Sequence, residues 1–163
     1  MPSVASLEKQ QYYGHPRNAF WPLIAKLLNF ELSEDYASNV GQAKENGIAI
    51  WDVVGECVRP GSLDSAIVRG SERINPIPRW LREHTGVKRV ALNGGTAAQL
   101  FKRHILPEVD AKNITVFTLP STSPANARMN FRTKCEAWRP LFNDTPVSKP
   151  GETQLPGSTA IDS

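Results

Sequence analysis

Apolar residues recur at helical spacing over 18–28, where Phe20, Ile24, Leu27 and Leu28 fall on one face. Pro22 is tolerated in the first turn of such a helix, so the segment before it, with His15, Pro16 and Arg17, is expected to be loop. Ser33, followed by Glu34 and Asp35, resembles the capped start of a second helix over 33–46, which Gly47 would end. The period then changes. IAIWDVV (48–54), VKRVALN (87–93) and ITVFTL (114–119) are short apolar runs rich in β-branched residues, and they read as buried strands. Helical pattern returns at 76–85 and 94–105, and a last helix over 126–141 would carry Met129, Phe131, Cys135 and Trp138. Strands alternating with helices predict an α/β fold with a parallel sheet covered on both faces.

The last stretch, NDTPVSKPGETQLPGSTAIDS (143–163), is rich in Pro, Gly, Ser and Thr and poor in core formers, which predicts one folded domain over 1–142 followed by a disordered tail. A chain of 163 residues is long enough to bury one continuous core. The start of the chain has no basic stretch leading into an apolar one, and no apolar run reaches bilayer length, so a soluble, cytoplasmic protein is expected, nucleoid-associated if bacterial. In such a compartment Cys57 and Cys135, with no CxxC spacing, read as buried core thiols. His15, His84 and His104 lack partners at metal-ligand spacing, so neither metal nor cofactor is expected. A net charge of +3 suits a polyanionic partner but is too common to identify one.

Ligands of open α/β sheets sit beyond the carboxyl ends of the strands, and three segments lead there. QYYGHPRNAFW (11–21) places aromatics, His15, Arg17 and Asn18 ahead of a helix. Asn93-Gly94-Gly95 leaves a strand and opens a helix, where backbone N–H groups would face an anion or a polar base edge. LPSTSPANA (119–127) leaves the last strand as a Ser- and Pro-rich loop. Taken singly, each has an ordinary reading: a tight Gly turn, a helix cap at Asn18, surface packing by Tyr12 and Tyr13.

In combination and order these segments resemble the uracil-DNA glycosylase superfamily, in its hypoxanthine-removing branch. PSVASLEKQQYYGHPRNAFWP (2–22) is similar to that branch's first motif, and its HPxNxFW core also looks like the mismatch-specific uracil glycosylases. GIAIWDVVGECVRPGSLDSAI (47–67), VALNGGTAAQLF (90–101) and LPSTSPANA complete the series over about 2–141. The resemblance implies a three-layer α/β/α sandwich with a short central parallel sheet. It implies an enzyme that flips a deaminated base, hypoxanthine with uracil or xanthine as alternatives, out of DNA and hydrolyses its N-glycosidic bond, starting base excision repair. Asn18 and Asn93 match the two catalytic asparagines. Tyr13 matches the aromatic that stacks on the base, with His15, Phe20 and Gly94 as further base-binding positions. Ser121, Thr122, Ser123, Ala125 and Asn126 match the loop that grips phosphates and fills the gap left by the base, and Arg128, Arg132 and Lys134 would add phosphate contacts. Mismatch-specific relatives carry a bulky wedge where this chain has Ala125.

Family members begin with an apolar strand that runs into a Gly-containing turn, and Met1 stands where that turn would end. The expectation is a sheet without its first strand, from a start codon placed too far downstream. The partner is expected to be DNA carrying a deaminated base, bound by a monomer with no membrane attachment. Two other classes remain open. One is a DNA- or damage-binding relative without catalysis. The other is a small nucleotide-binding α/β protein, which the lack of GxGxxG and GxxxxGK[ST] patterns disfavours.

Overall fold

The computed structural model describes residues 4–60 and 66–143. Two parallel strands, β3 (Arg89–Asn93) and β4 (Thr115–Leu119), pair in register from Arg89 with Thr115 to Asn93 with Leu119. Helix α5 (Gly95–His104) connects them. Their side chains alternate between two faces, as the pleat requires. Val90, Leu92, Ile114 and Val116 pack with Ile77, Leu81, Ala98, Phe101 and Ile105, which belong to or follow α4 (Ile77–Glu83) and α5. Phe117 and Leu119 pack with Phe20, Trp21, Leu23 and Ile24 of α2 (Phe20–Leu28), Ala43 of α3 (Tyr36–Glu45), and Cys135 and Trp138 of α6 (Phe131–Trp138). Helices on both faces of a short parallel sheet make the expected α/β/α sandwich.

The helix termini follow their cap chemistry and move several expected boundaries. Pro22 does lie in the first turn of α2, and Asn29 closes that helix in the left-handed conformation an asparagine tolerates. Helix α3 is capped by Asp35, which accepts the Ser38 N–H, rather than by Ser33. Helix α6 starts at Phe131 because Asn130 caps it, so 126–130 is loop. The N-terminal segment is not loop throughout: α1 (Val4–Lys9) precedes the His15 turn. Cys135 is buried as expected, whereas Cys57 is only half-buried.

The apolar run 48–54 is the clearest departure. Only Val54 joins a strand, β1 (Val54–Glu56), which pairs antiparallel with β2 (Arg73–Ile74) outside the parallel sheet. Ile48 and Ile50 pack on the α2/α3/α6 cluster and Val53 on the α4/α5 cluster. Asn75 holds the segment by donating its N–H to the Val53 carbonyl at 3.0 Å and its Nδ2 to the Asp52 carbonyl at 2.8 Å. An apolar run records burial on both sides, but a strand also needs a neighbour whose backbone it can pair with. Among the described residues, β3 pairs with no strand at its edge away from β4. A cleft of about 1450 Å³ separates that edge from the 48–54 segment. The expected tail falls outside the described residues, apart from Asn143.

Leu23 is 0% exposed at the centre of the α2 face. Leu23→Ala is expected to lower stability by about 2–5 kcal/mol, read as a drop in the urea midpoint with an unchanged m value.

Candidate active site

The first wall of the site is held in place by a set of backbone anchors. The buried Ser6 of α1 receives the Gly14 N–H at its Oγ (3.0 Å) and the Gln11 N–H at its carbonyl (3.0 Å). Trp21 donates its indole N–H to the Tyr12 carbonyl at 3.0 Å, and the Tyr12 N–H donates to the Tyr36 hydroxyl at 3.0 Å. Pinned on both sides, Tyr13 adopts φ 57°, a conformation non-glycine residues seldom take without such restraint. Its ring stacks on Phe20 with 3.9 Å between centroids. The Asn18 N–H donates to the His15 carbonyl at 2.9 Å, and Asn18 Oδ1 accepts the Phe20 N–H at 3.0 Å. Asn18 therefore does act at the start of α2, through its oxygen, which leaves its Nδ2 end for the cavity it lines.

Asn93, the last residue of β3, forms the second wall. The chain turns sharply after it because Gly94 takes φ 100° and gives its N–H to the Leu119 carbonyl at 2.9 Å. A side chain at 94 would bring its Cβ to 3.0 Å from the Ser121 Cβ, so the glycine also lets the next loop approach. Across this contact, the Thr122 N–H donates to Asn93 Oδ1 at 2.9 Å and Asn93 Nδ2 donates to Thr122 Oγ1 at 2.9 Å. The Thr122 carbonyl in turn accepts the Ala19 N–H at 3.0 Å. Thr122 is 1% exposed and so ties all three segments together from inside the protein.

The loop after β4 is ordered by its own side chains. Trp138 donates its indole N–H to the Pro120 carbonyl at 3.0 Å, and Asn126 Nδ2 donates to the Ser121 carbonyl at 3.1 Å. Ser121 Oγ accepts the Ser123 N–H and Ser123 Oγ accepts the Ala125 N–H, each at 3.2 Å. Both hydroxyls keep a hydrogen to donate. The three cations expected nearby fall into different settings. Arg128 is exposed on the cavity rim, Arg132 is paired with Glu136 at 3.0 Å, and Lys134 is 5% exposed, its ammonium held below the usual lysine range by burial.

Tyr13, Asn18, Phe20, Asn93, Ser121, Thr122, Ser123, Ala125 and Asn126 thus line one cavity, though Thr122 turns inward and away from any phosphate. Two of the expected positions do not line it. His15 stays in its own turn, with Nδ1 accepting the Arg17 N–H at 3.1 Å, and the Gly94 N–H is committed to Leu119. The cavity also holds Asp52, a carboxylate inside an apolar run that the sequence pattern gave no reason to single out. Burial pushes the Tyr13 phenol up to about 12; a hydrogen bond with the Asn93 side chain opposes the rise, while the charge of Asp52 adds to it. Among the described residues no group of three or more His, Cys, Asp or Glu side chains is placed to hold a metal ion.

Because Tyr13 is neutral in the folded protein until about pH 12 and ionises near 10 when unfolded, folding should lose stability as pH rises between those values. Alkaline titration followed by phenolate absorbance should show one tyrosine ionising only with unfolding, and Tyr13→Phe should remove that step.

Similarity to known proteins agrees with this geometry. The profile of the Uracil DNA glycosylase superfamily matches residues 1–142. A protein named Hypoxanthine DNA glycosylase from Methanosarcina acetivorans is 32% identical over 143 residues, 87% of this chain and 85% of the relative. One of the same name from Methanosarcina barkeri is 30% identical over the same shares. A solution NMR structure from Methanosarcina acetivorans, provisionally assigned as a uracil DNA glycosylase, superposes with a TM-score of 0.68 at 29% identity, covering 87% of this chain and 86% of that one. With the sandwich fold, the asparagine-walled cavity and a profile match along nearly all the described residues, the chain belongs to the uracil DNA glycosylase superfamily.

Proposed function

We propose that this protein is a DNA glycosylase that hydrolyses the N-glycosidic bond of hypoxanthine flipped out of DNA, with uracil and xanthine as related substrates. The observation that carries this reading is the shared polarity of two amides. Asn18 Oδ1 and Asn93 Oδ1 each accept a backbone N–H, so each amide turns its Nδ2 end to the cavity, Asn93 with the one hydrogen that Thr122 Oγ1 does not take. Hydrolysis leaves negative charge on the departing base, and fixed N–H donors placed around that base stabilise it without themselves being charged. The names of the two Methanosarcina relatives support the choice of hypoxanthine.

Binding would begin on the loop after β4. The Ser121 and Ser123 hydroxyls and Arg128 donate to backbone phosphates, which positions DNA without reading sequence. Flipping costs a few kcal/mol, and stacking on an aromatic ring returns about 1–3 kcal/mol. At 3.9 Å the Tyr13 and Phe20 rings are already in contact, so a base that stacks on Phe20 takes the place of Tyr13. Asn18 then orients the attacking water or the base from the α2 side, and Asn93 donates to the base edge. Asp52, on the 48–54 segment across the cleft from β3, places negative charge where the sugar becomes cationic.

The test is an oligonucleotide carrying one hypoxanthine or one uracil, single-stranded or duplex, incubated with protein and cleaved at abasic sites with alkali. Scission at hypoxanthine that falls about a hundredfold to a thousandfold in Asn18→Ala or Asn93→Ala is the expected result. DNA binding without scission on any substrate would instead assign the protein a damage-binding role.

A further inference from the structure

We infer that Thr122 is a positioning residue that fixes which end of the Asn93 amide meets the base, and through it the preference for a base edge bearing a carbonyl over one bearing an amino group. This rests on the glycosylase reading above and adds to it the source of selectivity.

An asparagine amide is nearly symmetric in shape, so a pocket that reads a base with one must also stop it from turning over. Here both anchors come from a single residue. The Thr122 N–H occupies Asn93 Oδ1, and Thr122 Oγ1 takes one of the two Nδ2 hydrogens, each bond at 2.9 Å. Turning the amide over would set its NH2 group against the Thr122 N–H, leaving a buried donor with no acceptor. Thr122 is 1% exposed, so its N–H has little access to water that could repair the loss. The Asn93 side chain also lies against the Tyr13 hydroxyl, whose ionisation it favours, and its second Nδ2 hydrogen is the one a base would take once Tyr13 is displaced. A donor fixed in that position donates to the 6-oxo group of hypoxanthine or the 4-oxo group of uracil. It meets only further donors on the exocyclic amino groups of adenine and cytosine. The two products of deamination are thereby separated from the two normal bases by the orientation of one amide. Because the Thr122 carbonyl accepts the Ala19 N–H at 3.0 Å, the same residue sets the distance between Asn93 and the segment that bears Asn18.

Thr122→Val preserves shape and backbone and deletes only the acceptor hydroxyl, while Thr122→Ser restores it. The wild-type protein and both variants would be assayed on one duplex carrying either hypoxanthine or unsubstituted purine, which lacks the 6-oxo group. Exchange of the Asn93 side-chain amide protons would be followed by nuclear magnetic resonance on the same samples. The expected result is that Thr122→Val narrows the hypoxanthine-to-purine ratio of kcat/KM about tenfold, the size of one buried hydrogen bond, and speeds Asn93 amide exchange, with Thr122→Ser within about threefold of wild type in both. If Thr122→Val lowers both substrates equally, or leaves Asn93 exchange unchanged, Thr122 is only a structural tie and the inference is overturned while the glycosylase reading stands. If the wild-type protein excises neither base, the glycosylase reading fails and the selectivity argument falls with it.

Discussion

Thr122 holds the end of one strand, the start of one helix and the loop after the other strand together through three backbone and side-chain atoms. Its N–H and Oγ1 reach Asn93, and its carbonyl reaches Ala19. Each of these segments approaches the site from a different part of the chain. The approach is close only because Gly94 has no Cβ to meet Ser121. A buried polar contact of this kind is costly to leave half-made, so it also specifies the register of the loop against the sheet. The aromatic wall depends on the same arrangement, since Phe20 follows Ala19 into α2 and Tyr13 stacks on it.

Around this junction the core is divided. The α2/α3/α6 cluster stabilises the wall that carries Asn18, Phe20 and the loop after β4, while the α4/α5 cluster supports β3 from behind. The two-stranded sheet joins them through alternate side chains. The 48–54 segment crosses from one cluster to the other and closes the far side of the cleft without contributing a ladder. That leaves a site whose polar floor is tightly specified and whose side wall is set by apolar packing and by the hydrogen bonds that Asn75 makes to the Asp52 and Val53 carbonyls.

Beside the Asp52 carboxylate, the cavity presents neutral groups held at fixed polarity. Both asparagine oxygens are consumed by backbone donors, which turns two residues that could accept or donate into donors. Tyr13, kept protonated by burial, adds a further neutral group to the cavity while no base is bound. Under the proposed function, neutral donors of this kind would bind an uncharged base and still stabilise the anion that forms as the base leaves, because the donors need not reorganise.

Much of this was legible in the sequence wherever local pattern and local chemistry coincide. The helical period of 18–28, the β-branched runs that became β3 and β4, and Gly94 at a turn after Asn93 all follow from the residues themselves. The motif order then pointed to the cavity that unites Tyr13, Asn18, Phe20, Asn93 and the 121–126 loop. What the sequence could not determine was pairing across space. The 48–54 run has the composition of a strand, but a strand requires a partner backbone, and only the tertiary structure decides whether one lies alongside. Thr122 in a Ser-rich loop looks like a phosphate donor, and only its burial against Asn93 shows that it faces inward. His15 carries a ring suited to a base, yet its own turn uses that ring to satisfy Arg17. Side-chain direction and ladder partners are properties of contacts between distant segments, so they appear only once the chain has folded.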